Sequence, residues 1–461
     1  MLKEKLYKAM QYTQNPWNRK DCLEERTDSE KQASPFQRSR VYTIQPAAHP
    51  IHTVLTLPGS KSITNRALIL SALARGESIL NGVLHSEDTT ACIHSLKALK
   101  IDIEHDLARA QCRIKGEGGN FPAKRAQIWC QDSGTTVRFL LAACAAAKEG
   151  TYHFSGTPQL QARPLESLVK VLQEQGAEID STQLPLTLNS NRLAGGNIFI
   201  RGNESSQFIS ALLMIAPHAQ KPVTLTTESL VSSPYVTLTM QMMKEFGLTV
   251  SIKNDSTFLI QAPDFYTAHP SYSIEPDLST ASYFFAAAAV THGKITINNI
   301  DKSTCKQGDI VFLDVLNKMG CHIEYGKHSV TVQGTPHLKG QTVDMSSISD
   351  TMMTLACIAP FADSPTTITH IGHVRYKESD RIAAIVNNLR QLGIETQSDD
   401  HHITIFPGIP KPGKIESYAD HRIAMSFSLI GLRIPGILIN GMECVSKTCP
   451  EFTALWEKLI Q

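Results

Sequence analysis

A lysine, a serine and an arginine stand together where an apolar segment of the sequence begins. The stretch "LPGSKSITNRALILSALARGES" places Lys61, Ser62 and Arg66 between a Pro-Gly turn and a long apolar run. The apolar run predicts a buried helix, and a positive side chain at a helix start opposes the helix dipole by about 0.3–1 kcal/mol. Binding of an anion accounts for this arrangement better than packing does.

Polar residues precede apolar helical segments at five further places in the chain. The segments begin with "QDSGTTVR", "NESSQF", "PDLSTAS", "SISDTM" and "YADHR". Ser, Thr and Asp at such positions are ordinary helix N-caps, and capping explains each of them taken singly. It does not explain Arg138 or Arg422, which again place a positive charge at a helix start.

A second set of polar residues precedes a second group of predicted helices. The set comprises Arg163, Ser232, Tyr235, Lys377, Glu378, Arg381 and Lys447. If equivalent helix ends face one cleft, several cations converge there, and the cleft is predicted to bind a ligand with several negative charges.

Three acidic residues stand among these cations at predicted helix starts. Asp350, Glu378 and Asp420 could be salt-bridge partners, or they could take a proton from a bound hydroxyl. We favour the salt bridge for Asp420, which directly precedes His421 and Arg422. For Asp350 and Glu378 we weigh catalysis at least equally, because a purely cationic cleft could not activate an alcohol.

The elements that must position these residues repeat six times along the chain. Each unit holds an alanine-rich apolar helix, a short break, a strand, a second helix and, in the first five copies, further strands. The breaks recur about every 72 residues, which indicates an internal repeat. This alternation predicts an α/β (α+β) fold in which helices pack on sheets. The breaks fall at Gly76, Gly150, Lys221, Gly293, Ser364 and Gly436.

The last unit ends after its second helix, whereas the strand at 52–60, "HTVLTLPGS", has no unit of its own. We therefore predict that this strand completes the sixth unit and that the chain closes on itself as two domains. The chain is predicted to cross between them near Gly59 and near "SIEPDLST". The predicted divisions are 1–50 as a loosely ordered extension, 60–275 as one domain, and 51–59 with 276–461 as the other.

Composition argues against several classes of protein. Forty-four basic and 43 acidic residues leave a formal charge of +1, so no overall field attracts nucleic acid or an anionic membrane. No apolar run approaches the roughly 20 residues of a membrane helix, and the N-terminus lacks the apolar core of a signal peptide, so we expect a cytoplasmic location. The ten scattered cysteines favour buried, reduced thiols over disulfides or a metal site.

Seven motifs together carry a family resemblance. They are "PGSKSITNRALILSALA", "SGTTVRFL", "SSQFISALLM", "SDTMMTLA", "KESDRI", "DHRIAMSFSL" and "SKTCPEF". In their order and spacing the chain resembles the 5-enolpyruvylshikimate-3-phosphate synthases from about "HTVLTLPGSKS" to its C-terminus. The resemblance implies a two-domain inside-out α/β barrel with three repeats per domain, which agrees with the closure predicted from the repeat.

The same resemblance implies a reaction. The enolpyruvyl group of phosphoenolpyruvate would be transferred to the 5-hydroxyl of shikimate 3-phosphate, with release of phosphate, on the pathway to chorismate and the aromatic amino acids. No metal and no organic cofactor would take part. The implied partners are these two small molecules, with neither nucleic acid nor membrane, and we expect a monomer.

The resemblance also implies which residues bind each substrate. Shikimate 3-phosphate would be held by Lys61, Ser62, Arg66, Ser205, Ser206, Gln207, Ser232, Tyr235, Asp350 and Lys377. Phosphoenolpyruvate would be held by Lys61, Gly134, Arg163, Gln207, Glu378, Arg381, Arg422 and Lys447. A side chain in place of Gly134 would intrude on this second ligand.

For the chemistry, the hypothesis assigns three residues. Asp350 would take the proton of the 5-hydroxyl, Lys61 would stabilise the developing charge, and Glu378 would move the proton at the methylene carbon of phosphoenolpyruvate. The resemblance leaves the division of proton transfers among Lys, Asp and Glu open. The surrounding cations would stabilise the tetrahedral adduct, and the cleft is expected to close on binding.

Two positions depart from the family pattern. Asp132 and His373 stand where many members carry Asn. Asp132 adds a negative charge beside the implied phosphoenolpyruvate pocket, which leaves the affinity for that substrate and the sensitivity to glyphosate open, although Gly134 favours sensitivity.

Two alternative functions remain at this point. A UDP-N-acetylglucosamine enolpyruvyl transferase would pair Lys with Asn in its opening motif, whereas this chain has Lys61 and Ser62, followed by Arg66. A non-catalytic phosphometabolite-binding protein would not need Asp350 and Glu378 beside Lys61. We favour the enzyme of the shikimate pathway over both.

Overall fold

Helices and strands alternate along the chain as the repeat predicts. The computed structural model describes residues 41–228 and 230–460. The helices are α1 (Lys61–Leu73), α2 (Glu87–Ala98), α3 (Gly134–Ala146), α4 (Pro158–Gln161), α5 (Glu166–Glu174), α6 (Ser206–Ile215), α7 (Ser233–Glu245), α8 (Leu278–Thr291), α9 (Phe312–Lys318), α10 (Met352–Ile358), α11 (Arg381–Gln391), α12 (His421–Arg433) and α13 (Phe452–Glu457).

The strands are mostly short. They are β1 (Val41–Thr43), β2 (His52–Leu55), β3 (Arg75–Asn81), β4 (Asp102–Asp106), β5 (Gln111–Glu117), β6 (Arg125–Trp129), β7 (Gly150–Ser155), β8 (Glu178–Ile179), β9 (Leu186–Ser190), β10 (Gly196–Arg201), β11 (Val223–Glu228), β12 (Ser251–Asn254), β13 (Thr257–Ile260), β14 (Tyr272–Ser273), β15 (Lys294–Asn298), β16 (His322–Tyr325), β17 (Ser329–Gln333), β18 (Thr342–Asp344), β19 (Thr366–Thr369), β20 (Thr396–Ser398), β21 (Ile403–Ile405), β22 (Gly413–Glu416) and β23 (Ile437–Asn440).

Within the described residues these strands form six sheets of one design. In each sheet the strand that follows the first helix of a unit pairs with one parallel and one antiparallel neighbour. The strand orders are β14-β3-β5-β4, β6-β7-β9-β8, β10-β11-β13-β12, β16-β17-β15-β2, β18-β19-β21-β20 and β1-β23-β22. The predicted mixed α/β fold with repeated helix-strand units is confirmed.

The first helix of each unit lies inside the fold and its sheet lies outside. Helices α3 and α8 are buried along their whole length, as expected for helices that are apolar on every side. The second helices bury only one face: α5 buries Leu168, Val169, Val171 and Leu172. Strands such as β5 alternate buried and exposed residues, because one face of the sheet covers the helices and the other faces water.

The apolar side chains form two separate cores. The first core contains buried residues between Ile63 and Ile274. The second core contains those between Ile44 and Leu57 together with those between Leu278 and Leu459. The division of the chain into two domains, 60–275 and 51–59 with 276–461, stays a prediction.

The predicted partner of the N-terminal strand is wrong. Strand β2 pairs in parallel with β15 of the fourth unit, not with the sixth unit. The sixth sheet is completed by β1, which pairs antiparallel with β23, because β22 already occupies the parallel edge of β23. Strand β1 lies in the predicted loose extension, so residues 41–50 belong to the fold, with Ile44 buried; residues 1–40 lie outside the described residues.

The two strands that precede α1 and α8 are exchanged between units. Strand β2 leads into α1 but pairs with β15, while β14 leads into α8 but pairs with β3. The connections run side by side: Ser60 N–H donates to the carbonyl of Glu275 at 2.8 Å, and Asp277 N–H donates to that of Pro58 at 3.0 Å. A Cβ atom at Gly59 would overlap the carbonyl oxygen of Gly82, so this close approach requires glycine.

In the described part of the chain, no helix is long and apolar enough to cross a bilayer. The cysteines described there are all free thiols.

Candidate active site

One narrow cavity collects most of the residues that the sequence predicts to bind substrates. It holds about 40 Å³ of free volume, so the charged side chains around it contact one another. The predicted residues in its lining are Lys61, Ser62, Arg66, Gly134, Arg163, Ser206, Gln207, Tyr235, Asp350, Lys377, Glu378, Arg381 and Arg422. Ser205, Ser232 and Lys447 are not part of the lining. Asp88 and Thr135, which the sequence did not single out, are.

Several helices begin at this cavity. Helix α3 begins at Gly134, α6 at Ser206 and α11 at Arg381. Their N-caps are Ser133, Ser205 and Asp380, each of which accepts a backbone N–H of the helix that it precedes. Unpaired N–H groups at such ends favour anions.

Helix α1 obtains its cap from a distant residue. Ser60 makes no side-chain cap, and Lys61 N–H instead donates to Asp277 Oδ2 at 3.0 Å. The other oxygen of Asp277 accepts Thr280 N–H at 2.8 Å and caps α8. One carboxylate therefore fixes the starts of two helices that belong to different cores.

Asp350 lies at the centre of a cluster of cations. Its Oδ2 accepts from Arg422 Nη2 at 2.8 Å, and its Oδ1 lies 3.1 Å from Arg381 Nη1 and 3.7 Å from Lys377 Nζ. Burial raises the pKa of Asp350, but Arg422, Lys377 and Arg381 together hold it well below its ordinary value. The hydroxyl of Tyr235 also donates to Oδ2, at 3.1 Å.

Glu378 lies between two arginines. Its carboxylate lies 2.8 Å from Arg381 Nη2 and 3.6 Å from Arg163 Nη1. Although burial raises the pKa of Glu378, Arg163 and Arg381 hold it well below the ordinary value. Both predicted catalytic acids are therefore ionised and paired with arginine.

Asp420 serves the structural role that the sequence predicts. It is fully buried, its Oδ2 accepts from Arg381 Nε at 2.8 Å, and its Oδ1 caps α12 through Arg422 N–H at 2.9 Å. The predicted salt bridge is confirmed, and it orients the guanidinium that contacts Asp350 and Glu378.

Two lysines share one carboxylate at another part of the site. Lys61 Nζ and Lys447 Nζ each lie 3.2 Å from an oxygen of Asp88. Asp88 follows Ser86, which caps α2. An acidic residue in the first turn of a helix is ordinary, so Asp88 does not stand out in the sequence.

Arg66 is largely occupied by the protein itself. Its Nε donates to Thr239 Oγ1 at 2.7 Å, its Nη1 to the carbonyl of Ser62 at 3.1 Å, and its Nη2 to Ser210 Oγ at 3.2 Å. Burial lowers its pKa to about 10, so it remains a cation. These contacts fix α1 against α6 and α7 with a positive charge at the cavity.

Gly134 borders the guanidinium of Arg163. A Cβ atom at this position would lie 2.8 Å from Arg163 Nη1, so a side chain would displace that arginine before it reached a ligand. Nearby, Arg138 donates to Gln207 Oε1 at 2.6 Å and to the carbonyl of Pro164 at 3.1 Å. Arg138 thus orients a residue of the lining from behind.

Ser232 and His373 contact each other beside the cavity. Ser232 Oγ lies 3.3 Å from His373 Nε2, and Ser232 has a left-handed backbone with φ of 52°. Burial lowers the pKa of His373 to about 4, so this ring is neutral near neutral pH.

Two buried titratable residues near the site were not predicted from the sequence. Asp309 accepts from Ser279 Oγ at 2.7 Å and from Tyr235 OH at 3.3 Å, and burial together with the charge of Asp350 raises its pKa to about 6. His421 is fully buried, and neither ring nitrogen has a hydrogen-bond partner in the described part of the chain. Burial and Lys61 lower the pKa of His421 well below its ordinary value.

Among residues 41–228 and 230–460, no group of three or more His, Cys, Asp or Glu side chains is arranged to hold a metal ion.

Comparison with known proteins gives a consistent family. A family profile described as EPSP synthase (3-phosphoshikimate 1-carboxyvinyltransferase) matches residues 46–456. A 3-phosphoshikimate 1-carboxyvinyltransferase of Nostoc punctiforme is 44% identical over 418 residues, which are 89% of this chain and 97% of that relative. A 3-phosphoshikimate 1-carboxyvinyltransferase 2 of Halalkalibacterium halodurans is 42% identical over 434 residues, 92% of this chain and 96% of the relative.

Solved structures agree with these relatives. An EPSP synthase from Acinetobacter baumannii superposes with a TM-score of 0.76 at 25% identity and covers 91% of this chain and 98% of its own. The enolpyruvyl transferase NikO from Streptomyces tendae has the same fold, with a TM-score of 0.73 at 17% identity and coverage of 91% and 98%. The chain belongs to the EPSP synthase family, the 3-phosphoshikimate 1-carboxyvinyltransferases.

Proposed function

We propose that this protein transfers the enolpyruvyl group of phosphoenolpyruvate to the 5-hydroxyl of shikimate 3-phosphate and releases phosphate. The observation that carries the proposal is the cavity in which Asp350 and Glu378 lie among arginine and lysine side chains. Cations alone would make an anion-binding site, whereas acids placed among them allow proton transfer to and from the bound anions.

The cations divide between the two substrates. Phosphoenolpyruvate carries a phosphate and a carboxylate, and Arg163, Arg381 and Arg422 offer planar donor pairs that match such groups. Lys61 and Lys447 add point charges. Shikimate 3-phosphate would bind at the other end, where Ser62, Ser205, Ser206, Gln207, Arg66, Tyr235 and Lys377 supply hydroxyl, amide and cationic groups.

Substrate binding would change the basicity of Asp350. With Arg422 and Arg381 as counter-ions, its low pKa makes it a weak base. When the anions of phosphoenolpyruvate engage those arginines, Asp350 loses part of its stabilisation, and its pKa rises. The base would thus be generated by the arrival of the second substrate.

The reaction would then proceed by addition and elimination. Asp350 takes the proton of the 5-hydroxyl, and the oxygen bonds to C2 of phosphoenolpyruvate. Glu378, which is ionised in the free protein, takes up a proton once the substrate anions engage Arg163 and Arg381, and passes it to the methylene carbon. Lys61 and the arginines stabilise the negative charge of the tetrahedral adduct. Loss of a proton from the new methyl group and cleavage of the C–O bond to phosphate then release the two products.

The groups that would hold the substrates are engaged with one another in this structure. Asp350 and Glu378 both contact Arg381 in the cavity. Residues of both cores line it, so we propose that 60–275 and 51–59 with 276–461 are domains that separate to admit the substrates and close on them. In line with the family resemblance, we also propose that the protein acts as a cytoplasmic monomer.

Release of inorganic phosphate tests the function. The protein should liberate phosphate only when both shikimate 3-phosphate and phosphoenolpyruvate are present, and mixtures that lack either one are the controls. Binding of both compounds without release would show a passive binding protein and would refute the proposed reaction.

A further inference from the structure

The ammonium group of Lys447 is fully occupied by acceptors of the protein. Its Nζ lies 2.6 Å from the carbonyl oxygen of Asp132, 2.7 Å from Asp132 Oδ2 and 3.2 Å from Asp88 Oδ1. An ammonium group has three N–H donors, so these three acceptors use all of them. The side chain is only 5% exposed, and no donor is left for a substrate.

Lys447 is held as a cation by these neighbours. Burial lowers its pKa, but the carboxylates of Asp88, Glu378 and Asp132 outweigh that effect and raise it. A positive group at this position would attract the phosphate or carboxylate of phosphoenolpyruvate, provided that one of its present acceptors gives way.

Asp132 is the acceptor that is oriented for this contact by the rest of the protein. Its Oδ1 accepts from Thr157 Oγ1 at 3.1 Å, which leaves Oδ2 directed to Lys447. Asp88 is less free to change, because its other oxygen already pairs with Lys61 at 3.2 Å. The carboxylate of Asp132 is also the more accessible, at 21% exposed against 5% for Asp88.

We propose that Asp132 is a specificity-determining residue that competes with phosphoenolpyruvate for Lys447 and so weakens the binding of that substrate. This inference rests on the proposed function. Asp132 and Lys447 also belong to parts of the chain that contribute to different cores, so the same contact joins those parts when phosphoenolpyruvate is not bound. Shikimate 3-phosphate does not require Lys447, and its binding is unaffected.

Replacement of Asp132 by asparagine separates this competition from other effects. Asn keeps a carbonyl oxygen that can accept from Thr157, and the backbone carbonyl still accepts from Lys447, but the competing charge is lost. In D132N the KM for phosphoenolpyruvate should fall on the order of fivefold, the size of a partly exposed ion pair, while the KM for shikimate 3-phosphate changes less than twofold. Inorganic phosphate, as a competitive inhibitor, should bind more tightly by a similar factor.

E87Q is the matched control. Glu87 accepts from Ser446 Oγ at 2.6 Å, so it joins α2, the helix that carries Asp88, to the segment of Lys447. Gln at this position removes one charge near Lys447 without contacting it. A lower KM for phosphoenolpyruvate in D132N alone supports the competition. An equal fall in E87Q would assign the effect to general charge, and an unchanged or higher KM in D132N would overturn the inference; both outcomes reject it.

A further variant and the unsubstituted protein complete the experiment. If D132N does not fold, D132S removes the same charge with a smaller side chain and should show the same fall in KM. If the unsubstituted protein turns over and neither variant changes the KM for phosphoenolpyruvate, the inference is rejected but the proposed function is not. Absence of turnover in the unsubstituted protein rejects the proposed function and the inference with it.

Discussion

The two cores present the same architecture but different chemistry at their helix starts. Each is surrounded by three sheets of one design. Where the first core meets the cavity, Ser62, Ser206 and Gln207 provide neutral hydrogen-bonding groups beside the cations Lys61, Arg66 and Arg163. Where the second core meets it, Asp350, Glu378 and several cations contact one another directly. A repeated scaffold has thus been given a side suited to binding and a side suited to proton transfer.

The difference follows from how acids are placed relative to cations. In the first core Asp88 is held between two lysines and supports the binding groups. In the second core Asp350 and Glu378 each face the cavity, and both share Arg381. If a bound substrate drew Arg381 away from these two acids, the pKa values of both would change together. Ser62, Ser206 and Gln207 are neutral and do not respond in this way.

The largest expected effect is on the side of proton transfer. In D350A the proposed base is missing, and turnover should fall by about 10²- to 10⁴-fold. Binding of shikimate 3-phosphate, measured by calorimetry, should persist because the hydroxyl and amide groups of the other side remain. Unchanged turnover would show that Asp350 is not the base, and the second-core side of the cavity could then not be assigned to proton transfer.

A smaller effect is expected on the binding side. Ser206 lines the cavity at the start of α6, and S206A removes one hydrogen bond to a charged phosphate, worth roughly 1.5–3 kcal/mol. The KM for shikimate 3-phosphate should therefore rise about tenfold or more, with kcat retained. If S206A lowered kcat as strongly as D350A does, the two sides could not be assigned to different tasks.

The smallest expected effect is on stability and involves Asp309, a buried carboxyl that Tyr235 contacts together with Asp350. Because burial and Asp350 raise the pKa of Asp309 to about 6, the folded protein holds this proton to a higher pH than the unfolded chain. Stability from this group is therefore present at low pH and lost as pH rises through about 6. Between pH 5 and 7.5 the loss should be about 1 kcal/mol.

D309N isolates that contribution. Asn cannot ionise, so D309N should not show this loss of stability. From pH 5 to pH 7.5, the free energy of unfolding of D309N relative to the unsubstituted protein should therefore rise by about 1 kcal/mol. Urea unfolding at both pH values measures it, and the other titrating groups cancel in the comparison. A difference that stays constant with pH would show that Asp309 does not hold its proton.

The sequence predicts the repeat and the helix starts well because both have strong local signals. Apolar, alanine-rich segments preceded by Ser, Asp or Gly are visible without a structure, and Gly134, Ser206 and Arg381 begin helices as predicted. The sequence motifs then identify most of the residues that line the cavity. The sequence also indicates a salt bridge for Asp420, but its partner, Arg381, lies 39 residues away and is not a neighbour in sequence.

Long-range pairings left no comparable signal. Strand β1 is three residues long, too short to show a period, and the parallel partner of β2 lies more than two hundred residues away. Asp88, Asp309 and His421 look like ordinary helix residues in sequence, since their importance depends on groups from other units. The spatial neighbours of a residue, rather than its type, decide these roles.

The exchanged strands have a consequence for the order in which the protein folds during synthesis. Strands β1 and β2 leave the ribosome early but pair with β23 and β15, which are made much later. Sheet β14-β3-β5-β4 likewise receives its last strand only when residues 272–273 appear. The nascent chain therefore carries unpaired strand edges for most of its synthesis, a state open to wrong pairing. The pairing of β1 with β23 completes a sheet over the second core and needs nearly the whole chain, so we expect it to be a late and slow step of folding.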